Sequence, residues 1–292
     1  MSSHQRRGVI FAILAAAFYA LNSPLSKLLL RDISPTMMAA FLYLGAGMGM
    51  AILQAIRQKS GKADAEQKLT RKELPYTLGM IFLDIAAPIF LMLGISRTSA
   101  ANASLLNNFE IVATSLIALL IFREVISRKL WLGILLVTLS SIILSLQDTG
   151  SLSFSIGSLF VLLACICWGF ENNCTRMMSS KNPVQIVVIK GIFSGLGSLI
   201  VALIAGEKLP AVLPLFLALL LGFVAYGLSI AFYIYAQREL GAAKTSAYYA
   251  IAPFIGVALS LVIFAEIPSF YFLIALAIMI AGTWVVTIAD NE

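Results

Sequence analysis

The sequence has few of the residues on which catalytic chemistry usually depends. Its one histidine is His4, in the N-terminal tail, and charged residues are only 12% of the chain. A soluble domain carries about 25% charged residues. The chain has no Walker motif and no Ser–Lys or paired aspartyl motif. These absences exclude histidine-based chemistry inside a membrane and built-in ATP hydrolysis, and they argue against an enzyme.

Cysteine is also scarce, and all three cysteines fall in one apolar segment: Cys165, Cys167 and Cys174. Their spacing matches no metal site, and buried cysteine is usually a small packing residue. We therefore expect neither a metal nor a cofactor.

Hydrophobic residues make up 60% of the chain. A membrane-spanning helix needs roughly 20 mainly apolar residues, and about ten segments qualify. The predicted spans are 8–30, 35–56, 75–96, 99–122, 130–147, 155–178, 184–205, 212–236, 242–265 and 269–289. Since they use most of the chain, they predict an all-α integral membrane protein with no soluble catalytic domain. Asn22, Pro24 and Lys27 continue the first segment, so we expect a retained span rather than a cleaved signal peptide.

The basic residues predict the orientation of these spans. With the N-terminus in the cytoplasm, 15 of the 20 Lys and Arg residues lie on the cytoplasmic side, three lie opposite, and Lys27 and Lys190 lie within spans. This bias fits the positive-inside rule, with both termini cytoplasmic. We predict a multi-pass protein of the inner (plasma) membrane. Because the basic residues are scattered over short loops, a nucleic-acid partner is not expected.

Two parts of the chain are faint copies of each other. Residues 8–14 (GVIFAIL) resemble 157–163 (GSLFVLL), and 121–124 (IFRE) resemble 263–266 (IFAE). Each copy holds five spans, so the second copy must enter the membrane with the opposite orientation. Inverted repeats are typical of secondary transporters, whose substrate site lies between the repeats near the midplane.

We therefore predict two inverted five-helix repeats, residues 1–147 and 148–292. Corresponding motifs recur in both: Tyr19-Ala20 and Trp168-Gly169 in the first spans, Glu124 and Glu266 after the fourth, and Ala252-Pro253-Phe254 in the ninth. With these motifs the chain resembles the drug/metabolite transporter superfamily, in its EamA-type ten-helix branch. The first repeat departs from the pattern, because Glu110-Ile111 stands where the second has Ala252-Pro253.

The resemblance implies alternating access through a central cavity lined by the first, third and fourth helices of each half. It also implies that the last helix of each half is peripheral, in a monomer or a homodimer. Many such proteins move amino acids or related compounds.

Ionisable residues inside spans are costly and usually face the interior of a helix bundle. At 1.5 Å per residue, Asp84 lies ~13 Å and Glu110 ~16 Å into neighbouring antiparallel spans, near the middle of a roughly 30 Å hydrocarbon core. Two adjacent carboxylates would not both ionise there. We predict that Glu110, with Asp84 as its partner, couples transport to protons or binds a cation; the alternative is that both only pack.

The remaining candidates also lie within spans. Glu171 and Lys190 reach equal depth on consecutive helices, which predicts a structural ion pair; alternatively, Lys190 binds an anionic substrate group or gates the inner mouth. Tyr19 and Trp168 could stack on a ligand or hold a cation. The other predicted substrate-binding residues carry amides or a phenol: Asn22, Asn107, Asn172 and Tyr248.

Three classes of function compete. The prediction is a secondary active transporter of small metabolites in the lipid bilayer, driven either by an ion gradient, with protons as the candidate, or by simple exchange. Amino acids are the first substrate candidate, because acidic, amide and basic groups together can hold a zwitterion. Cationic or amphipathic compounds are the alternative. A membrane enzyme is a remote alternative, and no selectivity-filter-like segment suggests a channel.

Overall fold

A computed structural model describes residues 3–59, 67–122, 127–147, 155–178, 181–240 and 248–289. Every regular element in these ranges is helical, and they contain no strand. Seven helical segments are long and apolar enough to cross a membrane, and three shorter apolar helices are Trp131–Leu146, Ala252–Phe264 and Phe270–Val285. The predicted all-α membrane fold is therefore confirmed.

The first half of the chain forms five helical segments in sequence. The first is α1 (Ser3–Ala20) and α2 (Asn22–Leu29), the second α3 (Pro35–Lys59), the third α4 (Leu74–Arg97), the fourth α5 (Ala100–Leu106) and α6 (Phe109–Phe122), and the fifth α7 (Arg128–Gln147). A one-turn 3-10 helix, Arg71–Glu73, precedes α4.

The second half repeats this order. The sixth segment is α8 (Ile156–Arg176). The seventh is α9 (Pro183–Ile189), a π-helical turn (Lys190–Ser194) and α10 (Gly195–Ile204). The eighth is α11 (Val212–Gly222), a π-helical turn (Phe223–Leu228) and α12 (Ser229–Leu240). The ninth contains α13 (Ala252–Phe264), and the tenth is α14 (Phe270–Ala289).

Both fourth helices of the repeats are interrupted at corresponding places. In the first half the break lies at Asn107 and Asn108, just before α6. The Asn108 side chain donates to the Leu105 carbonyl at 3.2 Å, which is how asparagine competes with the helical backbone. In the second half a turn at Ala250 and Ile251 precedes α13. Broken helices are characteristic of transporter substrate sites.

The two halves pack so that the first segment of each lies against the third segment of the other. The third segment, α4, runs along α8 of the second half, while α1 runs along α12 of the eighth segment. The fifth and tenth segments, α7 and α14, pack against each other. Large apolar side chains on the outer faces, including Phe82, Ile204 and Val212, are exposed. Those surfaces match a lipid environment.

Glycines bring the second and seventh segments into backbone contact. A Cβ on Gly191 would collide with the backbone of Gly47, and a Cβ on Gly45 would collide with the carbonyl of Leu219. Small residues at membrane helix interfaces permit this close approach. The second segment is therefore held tightly against the seventh and the eighth.

The loop after the seventh segment caps a helix of the other half. The Glu207 carboxylate accepts hydrogen bonds from the Ser34 hydroxyl at 2.8 Å and from the Met37 backbone N–H at 2.7 Å. Both donors lie at the start of α3. A carboxylate at a helix N-terminus satisfies otherwise unpaired N–H groups and interacts favourably with the helix dipole.

The corresponding loop of the first half makes a matching contact at the start of α9. The Asn182 backbone N–H donates to the Gln67 carbonyl at 2.8 Å, and the Leu69 N–H donates to the Gln185 side chain at 2.9 Å. Each half thus supplies groups that bind at the N-terminus of the other half's second helix.

Candidate functional site

The centre of the molecule contains a lysine between two carboxylates. Lys190 Nζ lies 3.1 Å from Asp84 Oδ2 and 3.1 Å from Glu171 Oε1. The exposed fractions of the Lys190, Asp84 and Glu171 side chains are 12%, 0% and 3%. Lys190 begins the π-helical turn of the seventh segment, an irregularity that is frequent at functional sites. Lys190 thus contacts Glu171, the partner that its depth predicted, and it also contacts Asp84, which was not predicted as its partner.

A line of polar and aromatic side chains leads from this cluster to the first segment. The Tyr43 hydroxyl donates to Asp84 Oδ1 at 2.8 Å, and Trp168 Nε1 donates to the Tyr43 oxygen at 3.4 Å. The rings of Tyr43 and Tyr226 lie 5.2 Å apart, and Asn22 Nδ2 donates to the Tyr226 hydroxyl at 2.9 Å. The line links both halves of the protein.

Glu110 lies in a separate polar contact beside this line. Asn172 Nδ2 donates to Glu110 Oε1 at 2.7 Å and approaches Thr114 Oγ1 at 3.2 Å. Glu110 occupies the first turn of α6, directly after the break in the fourth segment, where the helix dipole favours a negative charge. It keeps partial exposure, and within the described residues it forms no ion pair.

Four tyrosines from the first, eighth and ninth segments form an aromatic wall. The ring of Tyr19 lies 5.9 Å from that of Tyr226 and 6.0 Å from that of Tyr249, and Tyr233 lies 4.9 Å from Tyr249. The wall therefore joins the first segment to the eighth and ninth segments of the second half.

The predicted partnership of Asp84 with Glu110 is not found; no contact joins the two carboxylates. The reason is the packing of their helices, because α4 and α6 both pack on α8 rather than mainly on each other. Lys190 provides the counter-charge of Asp84, whereas an asparagine amide holds Glu110.

Most of the predicted binding residues converge on this region, and two take other positions. Asn107 is buried at the end of α5, where its Oδ1 accepts no hydrogen bond from the described residues. Cys165 Sγ approaches the Asn107 and Leu106 carbonyls, beside the helix break, at 3.8 and 3.7 Å. Tyr248 is 40% exposed and makes no ring contact with the aromatic wall.

Tyr43 was not predicted, although it touches Asp84, Trp168 and Tyr226. Its depth could have indicated an interior role. At 1.5 Å per residue, Tyr43 lies ~12 Å into α3 from Pro35, which is too deep for a tyrosine that anchors a helix at the membrane surface. Among the residues that the structure describes, no three metal-ligating side chains cluster.

Comparison with known proteins identifies the family. The model of the EamA-like transporter family matches the chain twice, at residues 6–146 and 155–288. The chain belongs to this family. An uncharacterized transporter of Methanothermobacter thermautotrophicus is 27% identical across 95% of this chain and 85% of its own length. The uncharacterized transporter YyaM of Bacillus subtilis is 22% identical across 84% and 82%.

A crystal structure at 16% identity shares the fold of this EamA-like chain, with a TM-score of 0.69 over 98% of this chain and 96% of the other. The EamA-like protein is thus a multi-pass membrane transporter, and transport rather than catalysis is the activity its relatives are named for. The predicted repeat boundary adjoins residues 148–154, and Glu124 lies in 123–126; both stretches are outside the described residues.

Proposed function

We propose that this EamA-like protein is a secondary active transporter of small metabolites that works by alternating access. Amino acids or related compounds are the predicted substrates, and cationic or amphipathic compounds are the alternative. The observation that carries the proposal is Glu110, a partly exposed acidic residue that directly follows the break in the fourth helix and accepts a hydrogen bond from Asn172 of the second half. Both substrate classes can supply the protonated amine that such a site binds.

The arrangement of the repeats supports alternating access. The first segment of each half packs against the third segment of the other, and the fourth helix of each half is interrupted. Interrupted helices expose backbone groups to a ligand, and rocking of one repeat against the other would open the site to each side in turn.

We propose Glu110, rather than Asp84, as the residue that binds and releases the coupling proton. Asp84 is fully buried and already bound by Lys190 and Tyr43. Glu110 accepts one hydrogen bond, from the neutral amide of Asn172, and no ion pair within the described residues engages it. A carboxylate held only by a neutral amide can bind either a proton or a substrate cation, because each neutralises its negative charge. Binding of one can therefore release the other. Asp84 would then act indirectly, through Lys190.

The basic-residue bias supports a plasma-membrane location with both termini in the cytoplasm. A monomer or a homodimer remains the predicted state. The other proposed partners are a small-molecule substrate, the lipid bilayer, and a proton or another coupling ion.

The first experiment identifies a substrate. A thermal-shift screen of the purified protein against amino acids, amines, nucleosides and vitamins detects compounds that bind the native state, because they raise the melting temperature. The compounds found are then tested for uptake into proteoliposomes under a pH gradient.

The coupling test uses Glu110→Gln, which keeps the size and the acceptor for Asn172 but cannot ionise. It should abolish proton-driven accumulation of the substrate, while Asp84→Asn should shift the pH dependence of transport without abolishing it. Wild-type, pH-dependent accumulation by Glu110→Gln would return Glu110 to a packing role.

A further inference from the structure

We propose that Lys27 holds one end of the transport pathway closed in this structure, and that Arg176, its counterpart in the second repeat, closes the opposite end in the other conformation. The inference rests on the proposed alternating access and names the residues that control it. The end of the helix bundle at which α1 begins is called the N-terminal end, and the end at which Lys27 lies is called the Lys27 end.

Lys27 joins the first segment to the third. It lies in the last turn of α2, and its Nζ donates to the carbonyls of Ile95 at 2.6 Å and Thr98 at 2.7 Å. Both carbonyls lie at the C-terminal end of α4, where the last carbonyl groups lack helical partners and the helix dipole favours a cation. One side chain thus fixes the end of α4 against α2 through two charge-assisted hydrogen bonds.

The other contacts at the Lys27 end are also close. Asn102 Nδ2 in α5 donates to Thr98 Oγ1 at 3.1 Å and to Ser158 Oγ of α8 at 3.4 Å. A Cβ on Gly157 of α8 would lie only 2.9 Å from the carbonyl carbon of Arg97. The helices α2, α4, α5 and α8 therefore meet around Thr98, which is 5% exposed, and α13 packs on α2 and α5. These contacts keep the Lys27 end closed.

The helices at the N-terminal end are packed in two separate groups. In one group α1 packs on α12, and in the other α6 and α4 both pack on α8. Within the described helices, neither α1 nor α12 packs along α4, α6 or α8. The first segment therefore reaches the second group only through α2, at the Lys27 end. Groups that are joined at one end and separate at the other are the arrangement of a transporter open to one side.

Arg176 occupies the corresponding position of the second repeat. The spacing from Gly157 to Arg176 equals the spacing from Gly8 to Lys27, and Arg176 lies in the last turn of α8, at the N-terminal end. Both residues therefore place a cation near the end of the first segment of their own repeat. Like the Lys27 ammonium, the Arg176 guanidinium is a donor that can bind helix carbonyls.

The partner of Arg176 follows from the same correspondence. When residues 121–124 are matched to 263–266, Thr98 corresponds to Leu240, the last residue of α12. Because the repeats are inverted, the counterpart of the Lys27 contact is a bond from Arg176 to the carbonyls at the end of α12. In this structure α8 does not pack along α12. The counterpart contact therefore belongs to the conformation in which the N-terminal end is closed.

The test measures the opening of each end in the full-length protein, reconstituted in lipid nanodiscs. Pairs of spin labels on introduced cysteines, in a background without the three native cysteines, give distance distributions by electron paramagnetic resonance. One pair replaces Arg31 and Ile156 at the Lys27 end, and the other replaces Ile10 and Met177 at the N-terminal end. All four positions are exposed, so the labels should not disturb the packing.

Lys27→Met should lower the ratio of closed to open molecules at the Lys27 end about tenfold or more, the size of one charge-assisted hydrogen bond. The label distance at the Lys27 end should lengthen while the distance at the N-terminal end shortens, because alternating access couples the two ends. Lys27→Arg, which keeps a cationic donor, should retain most of the wild-type distribution. Adding Arg176→Met to Lys27→Met should return both distances toward those of the wild type, because it weakens the competing conformation.

Arg97→Met is the matched control. Arg97 also donates to a carbonyl near the end of α4, that of Leu93 at 2.9 Å, but it does so from the same helix. Its loss removes a cation from the same region without releasing α2 from α4, so both label distances should stay as in the wild type. Lys27→Gln, which keeps a neutral donor, takes the place of Lys27→Met in every comparison if that variant fails to fold.

A longer distance at the Lys27 end without a shorter one at the N-terminal end would make Lys27 a structural cap and overturn the inference. So would unchanged distances in folded Lys27→Met, equal effects of Arg97→Met, or no reversal on adding Arg176→Met. The transport proposal fails by a different result: wild-type proteoliposomes that bind a ligand but never move it. Because the label distances need no ligand, the two failures are distinguishable.

Discussion

Replacing Lys190 by methionine should be among the most destabilising single changes in this protein. Methionine has a similar length and no charge, so the substitution keeps the packed volume of the side chain and removes only the ammonium group. Asp84 and Glu171 would then remain buried without a counter-ion, with side chains 0% and 3% exposed. Removing one member of a buried ion pair typically costs ~3–5 kcal/mol, and here one change strands two carboxylates.

The other variants at this cluster should follow a definite order. Glu171→Gln should cost less, about 1.5–3 kcal/mol for a hydrogen bond to a charged group, because Lys190 keeps Asp84. The double variant Glu171→Gln with Lys190→Met should recover little, because Asp84 stays stranded. The triple variant that adds Asp84→Asn has no buried charge left in the cluster, and it should recover most of the loss.

The assay is thermal unfolding of the detergent-purified variants, with size-exclusion chromatography to confirm that each remains folded before heating. The reasoning depends on coupling between the three residues. If the losses of the single variants simply add in the triple variant, the residues do not interact energetically and the contact has no structural role. Recovery in the double variant alone would mean that Lys190 serves Glu171 and not Asp84.

Three further predictions concern other parts of the molecule. In a cysteine-free background, an impermeant reagent applied to intact cells should label Ser151→Cys and not Lys62→Cys; the reverse would overturn the predicted orientation. Gly191→Ala should lower the melting temperature because its Cβ meets backbone atoms, whereas Gly79→Ala, whose Cβ meets only a sulfur at 3.2 Å, should not; equal effects would refute the backbone contact. Glu207→Gln should cost about 0.5–2 kcal/mol of stability, as for other helix caps, and an unchanged melting temperature would show that the cap is dispensable.

Hydropathy predicted the spans well, because a membrane imposes one length and one composition on every helix that crosses it. It also predicted how deep the ionisable residues lie within their spans, because depth is the distance along the helix axis. These residues are Asp84, Glu110, Glu171 and Lys190. The Glu171–Lys190 contact follows from equal depth on consecutive helices.

Depth was not sufficient for Asp84 and Glu110. Both reach the middle of the membrane, but rotation about the helix axis and the choice of neighbouring helix decide which side chains meet. Both choices are set by long-range packing between the halves, such as α4 on α8, and one sequence carries no direct record of that packing. Tyr43 was overlooked for the same reason, because nothing in its own segment indicates Asp84 as a partner.

The contacts that each half makes at the N-terminus of the other half's second helix make the two halves interdependent. Glu207 belongs to the second half and binds the start of α3 in the first, whereas Gln67 belongs to the first half and binds the start of α9 in the second. A fragment that ends near residue 147 would therefore contain an α3 without its carboxylate cap, and the complementary fragment would contain an α9 without its loop. Co-expressed halves should therefore complete each other, whereas either half made alone lacks the groups that the other half supplies at the N-terminus of its second helix.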